Sequence, residues 1–205
     1  MRGSEAVCRS VVPLLLALLL MTLLGGCAGL PQGDGGASYP MTATADVSFH
    51  AQGRFSAHYE EKVFAARFDW RHEPDMDEIE VISPFGTTVA GLTRTGKTVI
   101  VQRGDGSQHT HQMENWETLT TQTFGFPLPV ESLAYWVRGV PAPEAPAAVT
   151  RDAAGRPDSL RQQGWTVQYN YAAAAREPER LDIRYGETVG LRLRMDRLLL
   201  LEKTD

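Results

Sequence analysis

From residue 48 the chain alternates. Phe49, Ala51, Gly53, Phe55, Ala57 and Tyr59 are interleaved with Ser48, His50, Gln52, Arg54, Ser56 and His58. Small or apolar residues at every second position predict a strand with one buried face. A turn near Glu60-Glu61 leads to a second strand, with Phe64, Ala66, Phe68 and Trp70 on one face and Ala65, Arg67 and Asp69 on the other. Ile79-Val81 begins a third strand, Val89 to Thr93 forms a fourth, and Thr98 to Gln102 a fifth. Gly104-Asp105-Gly106 is a hairpin signal, and Gln108 to Gln112 is the returning strand. The period then becomes helical. Asn115 caps a predicted helix running to Thr123, with Trp116, Leu119 and Thr120 on one face. Val130, Leu133, Trp136 and Val137 predict a second helix, ended by Gly139 and Pro141. Pro141 to Pro157 is rich in alanine and proline and reads as a surface excursion with little core potential. Alternation resumes at Trp165, Val167, Tyr169 and Tyr171, then at Leu181, Ile183 and Tyr185, and finally at Val189, Leu191, Leu193 and Met195. No long crossover helix separates the strands, so the sheet is predicted to be mostly antiparallel. Many strands, two small helices and more strands fit a strongly curved sheet or open barrel with helices plugging its mouth.

The first residues follow a different logic. Arg2 and Arg9 precede an almost wholly apolar run, Val11 to Leu24, broken by Pro13 and Thr22. It falls short of the roughly 20 apolar residues of a membrane-spanning helix and fits the apolar region of a signal peptide. The run ends in Leu24-Gly25-Gly26-Cys27, which has the form of a lipobox: an apolar residue, two small ones, then the cysteine that is acylated. An aspartate after that cysteine usually retains a lipoprotein in the inner membrane. Ala28 stands here instead and points to the outer membrane. The expected division is therefore 1–26 signal peptide, 27–46 lipidated N-terminus and Gly/Ser/Ala/Thr/Pro-rich tether, and 47–205 folded domain. Of the two cysteines, Cys8 falls in the leader and Cys27 would carry lipid, so the domain is held by its core without a disulfide. Loss of Arg2, Glu5 and Arg9 with the leader takes the formal charge from −5 to about −6, which argues against nucleic acid as a partner.

Several ordered pieces resemble the LolB family of outer-membrane lipoproteins. They are Phe55-Ser56-Ala57, Ala65-Ala66-Arg67-Phe68-Asp69-Trp70, Ser83-Pro84-Phe85-Gly86, Leu128-Pro129-Val130, Leu133 to Pro141, Gln163 to Tyr169, and Leu191 to Asp196. Each piece is weak alone; the set, in this order behind a lipobox, is specific. The resemblance implies an incomplete antiparallel β-barrel whose hydrophobic cavity is covered by helices, the fold shared by LolA and LolB. It also implies a function: accepting acylated lipoproteins from a LolA-type periplasmic carrier and inserting them into the outer membrane. The chain departs from some relatives near its C-terminus, where Arg197 and Leu198 to Leu201 stand in place of a tryptophan.

Such a receptor is expected to need no cofactor and to act as a monomer, with outer-membrane lipid and acylated cargo as partners. The cavity-lining residues expected on this reading are Phe55, Phe68, Trp70, Leu133, Trp136, Trp165, Tyr169, Leu191 and Leu193, although the same residues would form the plain core of any sheet. Ser83-Pro84-Phe85-Gly86 fits a type I turn with Phe85 near its tip. The resemblance makes Phe85 the membrane-delivery residue; otherwise it would fold back onto the core. Two rival readings compete, an enzyme or metal site and a general lipid-binding lipoprotein, and one charged face is open to two uses. His109 and His111 share a strand face as a metal pair would, but no third ligand is convincingly spaced, and no Gly-x-Ser-x-Gly elbow marks a hydrolase. Arg184, Arg192 and Arg194 form either a basic face for an acidic carrier or an ordinary solvated face. A general lipid-binding or structural envelope lipoprotein could also use this architecture.

Overall fold

The computed structural model describes residues 47–112, 115–143 and 145–201. The predicted leader, Cys27 and tether lie outside them. Six strands come first: β1 (Ser48–Tyr59), β2 (Lys62–Glu73), β3 (Met76–Ile82), β4 (Thr88–Thr95), β5 (Thr98–Arg103) and β6 (Gln108–Gln112). Two helices follow, α1 (Trp116–Phe124) and α2 (Val130–Trp136). Five more strands complete the domain: β7 (Ala147–Arg151), β8 (Pro157–Gln162), β9 (Trp165–Asn170), β10 (Arg180–Tyr185) and β11 (Val189–Leu201).

All eleven described strands lie in one antiparallel sheet, ordered β6-β5-β4-β3-β2-β1-β11-β10-β9-β8-β7. Consecutive strands pair as hairpins, and β1 pairs with β11 near the two ends of the domain. The edge strands β6 and β7 do not pair with each other, so the barrel is incomplete. The chain between those edges carries both helices. Val99 and Val101 from β5 share one core with Val149 of β7, Leu160 of β8 and the buried faces of α1 and α2. The sheet must wrap around the helices for residues so far apart in strand order to meet.

A bulge contributes to that curvature. The β1–β11 register shifts between Gln52 and Gly53, so that Gln52 faces Arg197 while Gly53 faces Met195. A Cβ on Gly53 would lie 2.1 Å from the Arg194 carbonyl oxygen and 3.0 Å from the Phe68 ring. Only glycine permits this approach of backbone to backbone.

The predicted alternation of β1 and β2 is observed: Phe49, Ala51, Ala57, Ala66, Phe68 and Trp70 are buried. The Pro141–Pro157 stretch departs from its expected role. It contains β7, and Pro157 opens β8. Val149 and Leu160 are the buried apolar residues of those strands, and β7 supplies an edge of the sheet rather than a free excursion. The C-terminal strand is also longer than its alternation predicts. It runs through Leu199, Leu200 and Leu201, each roughly half exposed.

Candidate functional site

An apolar cavity of about 70 Å³ lies between the inner face of the sheet and the helices. Its walls are Phe55 of β1, Phe68 and Trp70 of β2, Ile79 and Val81 of β3, Leu92 of β4, and Leu191 and Leu193 of β11. Trp116, Thr120 and Phe124 of α1, Leu128 and Val130, and Leu133 and Val137 form the roof. Thr120 carries the one hydroxyl in this lining. Its hydroxyl donates to the Trp116 carbonyl at 2.9 Å and accepts from the Leu128 amide at 2.8 Å. Both hydroxyl roles are filled within the roof, so Thr120 makes no polar demand on a guest.

Local chemistry holds the roof in place. Asn115 has an extended backbone, and its Oδ1 accepts from the Thr118 amide at 2.8 Å, the N-cap expected from sequence. Gly125 ends α1 in a left-handed conformation, with its amide donating to the Thr121 carbonyl. Beside the roof, Phe64 of β2 lies 6.3 Å from both Phe124 and Phe126, ring centre to ring centre.

The nine expected lining residues divide. Phe55, Phe68, Trp70, Leu133, Leu191 and Leu193 meet around the cavity. Trp136, Trp165 and Tyr169 are buried beside it, outside its lining. Trp136 is wholly buried, and its indole Nε1 donates to Gln162 Oε1 at 2.9 Å. Gln162 also accepts from the Ala142 amide and donates to the carbonyls of Ala142 and Ala145. This buried glutamine ties α2 and the chain after it to β8. Trp165 packs between Trp136, at 6.2 Å, and Tyr185, at 5.0 Å. Periodicity identifies all nine as inward-facing, but it does not distinguish a cavity wall from filled core.

A buried charge cluster stands behind one wall. Asp77 is 3 % exposed and accepts from Trp70 Nε1 at 2.9 Å and from Arg94 Nε at 2.6 Å. His72 Nδ1 lies 2.7 Å from the same carboxylate. Burial opposes the charged form of Asp77. Hydrogen bonds from His72, Trp70 and Arg94, together with attraction to His72, outweigh that penalty and hold the carboxyl below the usual carboxylate range. Arg94 donates onward to the Pro74 and Gly96 carbonyls, joining the β2–β3 and β4–β5 turns. Sequence reading missed this cluster. Asp77 sits in the acidic run Asp75-Met76-Asp77-Glu78, just before the apolar residues from which the third strand is predicted.

Phe85 occupies the β3–β4 turn and is 96 % exposed. The Gly86 amide donates to the Ser83 carbonyl at 2.9 Å, and the Ser83 amide donates to the Thr87 carbonyl at 2.8 Å. Positive φ falls on Gly86 and not on Phe85, which makes the turn type I, as the position of Pro84 predicts. The turn is thus clamped while its aromatic tip points away from the domain. His109 and His111 lie on edge strand β6, their ring centres 6.4 Å apart, and the described residues contain no cluster of three metal-ligating side chains. Arg192 pairs with Asp182 at 2.5 Å and Arg194 with Glu179 at 3.2 Å, so both have acidic partners on the sheet's outer face.

Comparison with known proteins agrees over nearly the whole domain. A family model described as "Outer membrane lipoprotein LolB" matches residues 47–197. The Outer-membrane lipoprotein LolB of Chromobacterium violaceum is 38% identical over 156 residues, covering 75% of this chain and 80% of that protein. The protein of the same name from Chromohalobacter salexigens is 34% identical over 183 residues, covering 84% of each. That from Neisseria meningitidis serogroup A is 35% identical over 150 residues, covering 72% of each. A solved structure of a LolA superfamily protein from Nitrosomonas europaea aligns with a TM-score of 0.48 at 11% identity, covering 77% of this chain and 88% of that one.

Proposed function

This chain belongs to the LolB family of outer-membrane lipoproteins, and from that premise we propose that its cavity receives the acyl chains of lipoproteins arriving on a LolA-type carrier and that Phe85 delivers them to the outer membrane. The supporting observation is the apolar cavity beneath the helices, whose one hydroxyl already has its hydrogen bonds within the roof. An acyl chain of about 16 carbons costs on the order of 12 kcal/mol to leave in water, at about 0.8 kcal/mol per CH₂. Cargo therefore has to pass between dry sites. Hand-over can follow graded affinity, since each 1.4 kcal/mol is tenfold.

At about 70 Å³ the cavity is smaller than the ~150 Å³ that accommodates a benzene-sized apolar guest. A full acyl chain requires α1 and α2 to move off the sheet, with the cargo replacing the roof's own apolar contacts. The protein acts as a monomer held at the periplasmic face of the outer membrane by lipid on Cys27, and residues 27–46 provide the tether. The family is one of lipoprotein-transport receptors rather than known enzymes.

The test uses the mature chain carrying Cys27→Ala, mixed with carrier loaded with an acylated lipoprotein. A pull-down should find cargo on this chain, and added liposomes should then take it up. Cargo that stays on the carrier, while this chain still binds free fatty acid, would instead support a general lipid-binding lipoprotein.

A further inference from the structure

The outward face of the sheet next to Phe85 carries a second feature. Arg54 of β1 is directly opposite Arg67 of β2 on one side and Arg194 of β11 on the other. Like charges placed directly across strands destabilise a sheet unless something sits between them. Arg194 pairs with Glu179, and Arg54 Nη2 pairs with Asp196 at 2.9 Å. Arg67 is exposed and has no ion pair among the described residues. Arg54, Arg67, Asp196 and Pro84 border a hollow of about 370 Å³. Two guanidiniums face one carboxylate there, leaving a net positive charge.

Position gives this charge a use. Arg67 pairs with Ile82, the last residue of β3, so it lies at the root of the loop that carries Phe85. Pro84, next to Phe85 in the chain, is a wall of the hollow. Val63 is 79 % exposed and lies on the outward face of β2, four residues before Arg67. An exposed aromatic tip, a second exposed apolar side chain and an arginine-lined hollow thus share one end of the domain. A lipid presents the complement: apolar tails beneath a phosphodiester. The planar guanidinium fork suits that anion, since it can donate two parallel hydrogen bonds.

We propose that the Arg54–Arg67 hollow binds the phosphodiester of a membrane phospholipid headgroup while Phe85 sits in the apolar layer below it, an assignment that rests on the delivery reading of Phe85. The phosphate fixes the depth and orientation of the loop, so that Phe85 reaches the bilayer in one pose.

The experiment is vesicle co-sedimentation of the mature chain carrying Cys27→Ala. One set of vesicles is phosphatidylethanolamine with phosphatidylcholine, and the other is a neutral galactolipid without phosphate. Binding is expected to be about tenfold tighter to the phosphate-bearing vesicles, the scale of a hydrogen bond to a charged group. Arg67→Gln should erase the preference. Arg67→Lys should lose most of it, because the charge remains but the fork does not. Arg184→Gln, which removes an exposed charge elsewhere on the sheet, should keep it. Wild-type binding by Arg67→Lys, or equal loss in Arg184→Gln, would show diffuse attraction and overturn the site. Displacement by millimolar inorganic phosphate at fixed ionic strength would make it a free-anion site and overturn the lipid assignment. Phe85→Glu should weaken binding to both vesicle types. Unchanged binding by that variant, with the Arg67 effect intact, would overturn the delivery reading alone.

Discussion

Asp77 shows how one residue can govern a cavity it does not line. Its carboxylate fixes the indole nitrogen of Trp70, whose ring forms part of the cavity wall, and takes hydrogen bonds from Arg94 and His72. Asp77→Asn removes the charge but keeps the shape, leaving Arg94 without its buried counter-ion. Breaking a buried pair in this way costs about 3 kcal/mol. The native carboxyl titrates below its unfolded value, so its stabilising contribution is complete above the unfolded value of about 3.9. That contribution is lost as pH falls through the lower native value. Denaturant midpoints should therefore separate wild type from Asp77→Asn by a constant amount at neutral pH, and the gap should narrow only below about pH 4. A gap that instead opened between pH 5 and 7 would assign the pH dependence to another group. Residue-scale legibility stops at this point in the chain. Trp70 and Trp136 look alike in an alternating or helical pattern, yet one lines space and the other is enclosed in filled core. The residues that hold their indole nitrogens, Asp77 and Gln162, are polar ones that a hydrophobic pattern places outside.

Among the elements, strands with a regular buried face are readable from their alternation, whereas β6, which buries no residue, is readable only from the Gly104-Asp105-Gly106 turn before it. β1 and β2 place aromatic, aliphatic and small residues at successive inner positions, so their period is unmistakable. β7 buries only Val149, so this edge strand reads as part of an alanine- and proline-rich excursion, and the inner positions of β8 include Gln162, which breaks its apolar alternation. The helices are legible for a different reason: apolar residues recur at helical spacing, Gly139 and Pro141 follow α2, and Asn115 stands as the cap of α1. That cap also sets how firmly the roof sits. Asn115→Ala should destabilise α1 by about 1 kcal/mol. Amides of residues 118–124 should exchange about fivefold faster, and a bound fluorescent fatty acid should leave sooner. Unchanged exchange across α1 would mean that packing of Trp116, Leu119 and Thr120 alone seats the helix.

At the scale of the whole molecule, the features for holding and for delivering an acyl chain are separate. The cavity is built from the inner face and the helices, whereas Phe85 stands on a clamped turn outside both. Filling the cavity should therefore block acceptance without touching delivery. Leu133→Trp adds bulk to the roof where it faces Leu191 and Leu193 across the cavity. It should lower capture of cargo from the carrier at least tenfold while leaving vesicle contact unchanged, as read by pull-down and co-sedimentation. The reverse variant tests the other half. Phe85 is 96 % exposed and packs against nothing in the core, so Phe85→Glu should move the thermal midpoint little. A carboxylate at that tip must be dehydrated to enter the apolar layer, which opposes insertion strongly. In the reconstituted transfer, Phe85→Glu should take cargo from the carrier at the wild-type rate and accumulate as a loaded complex, with little cargo reaching liposomes. Wild-type delivery by the variant would show that the turn does not touch the bilayer. Failure already at acceptance would place Phe85 on the surface that meets the carrier.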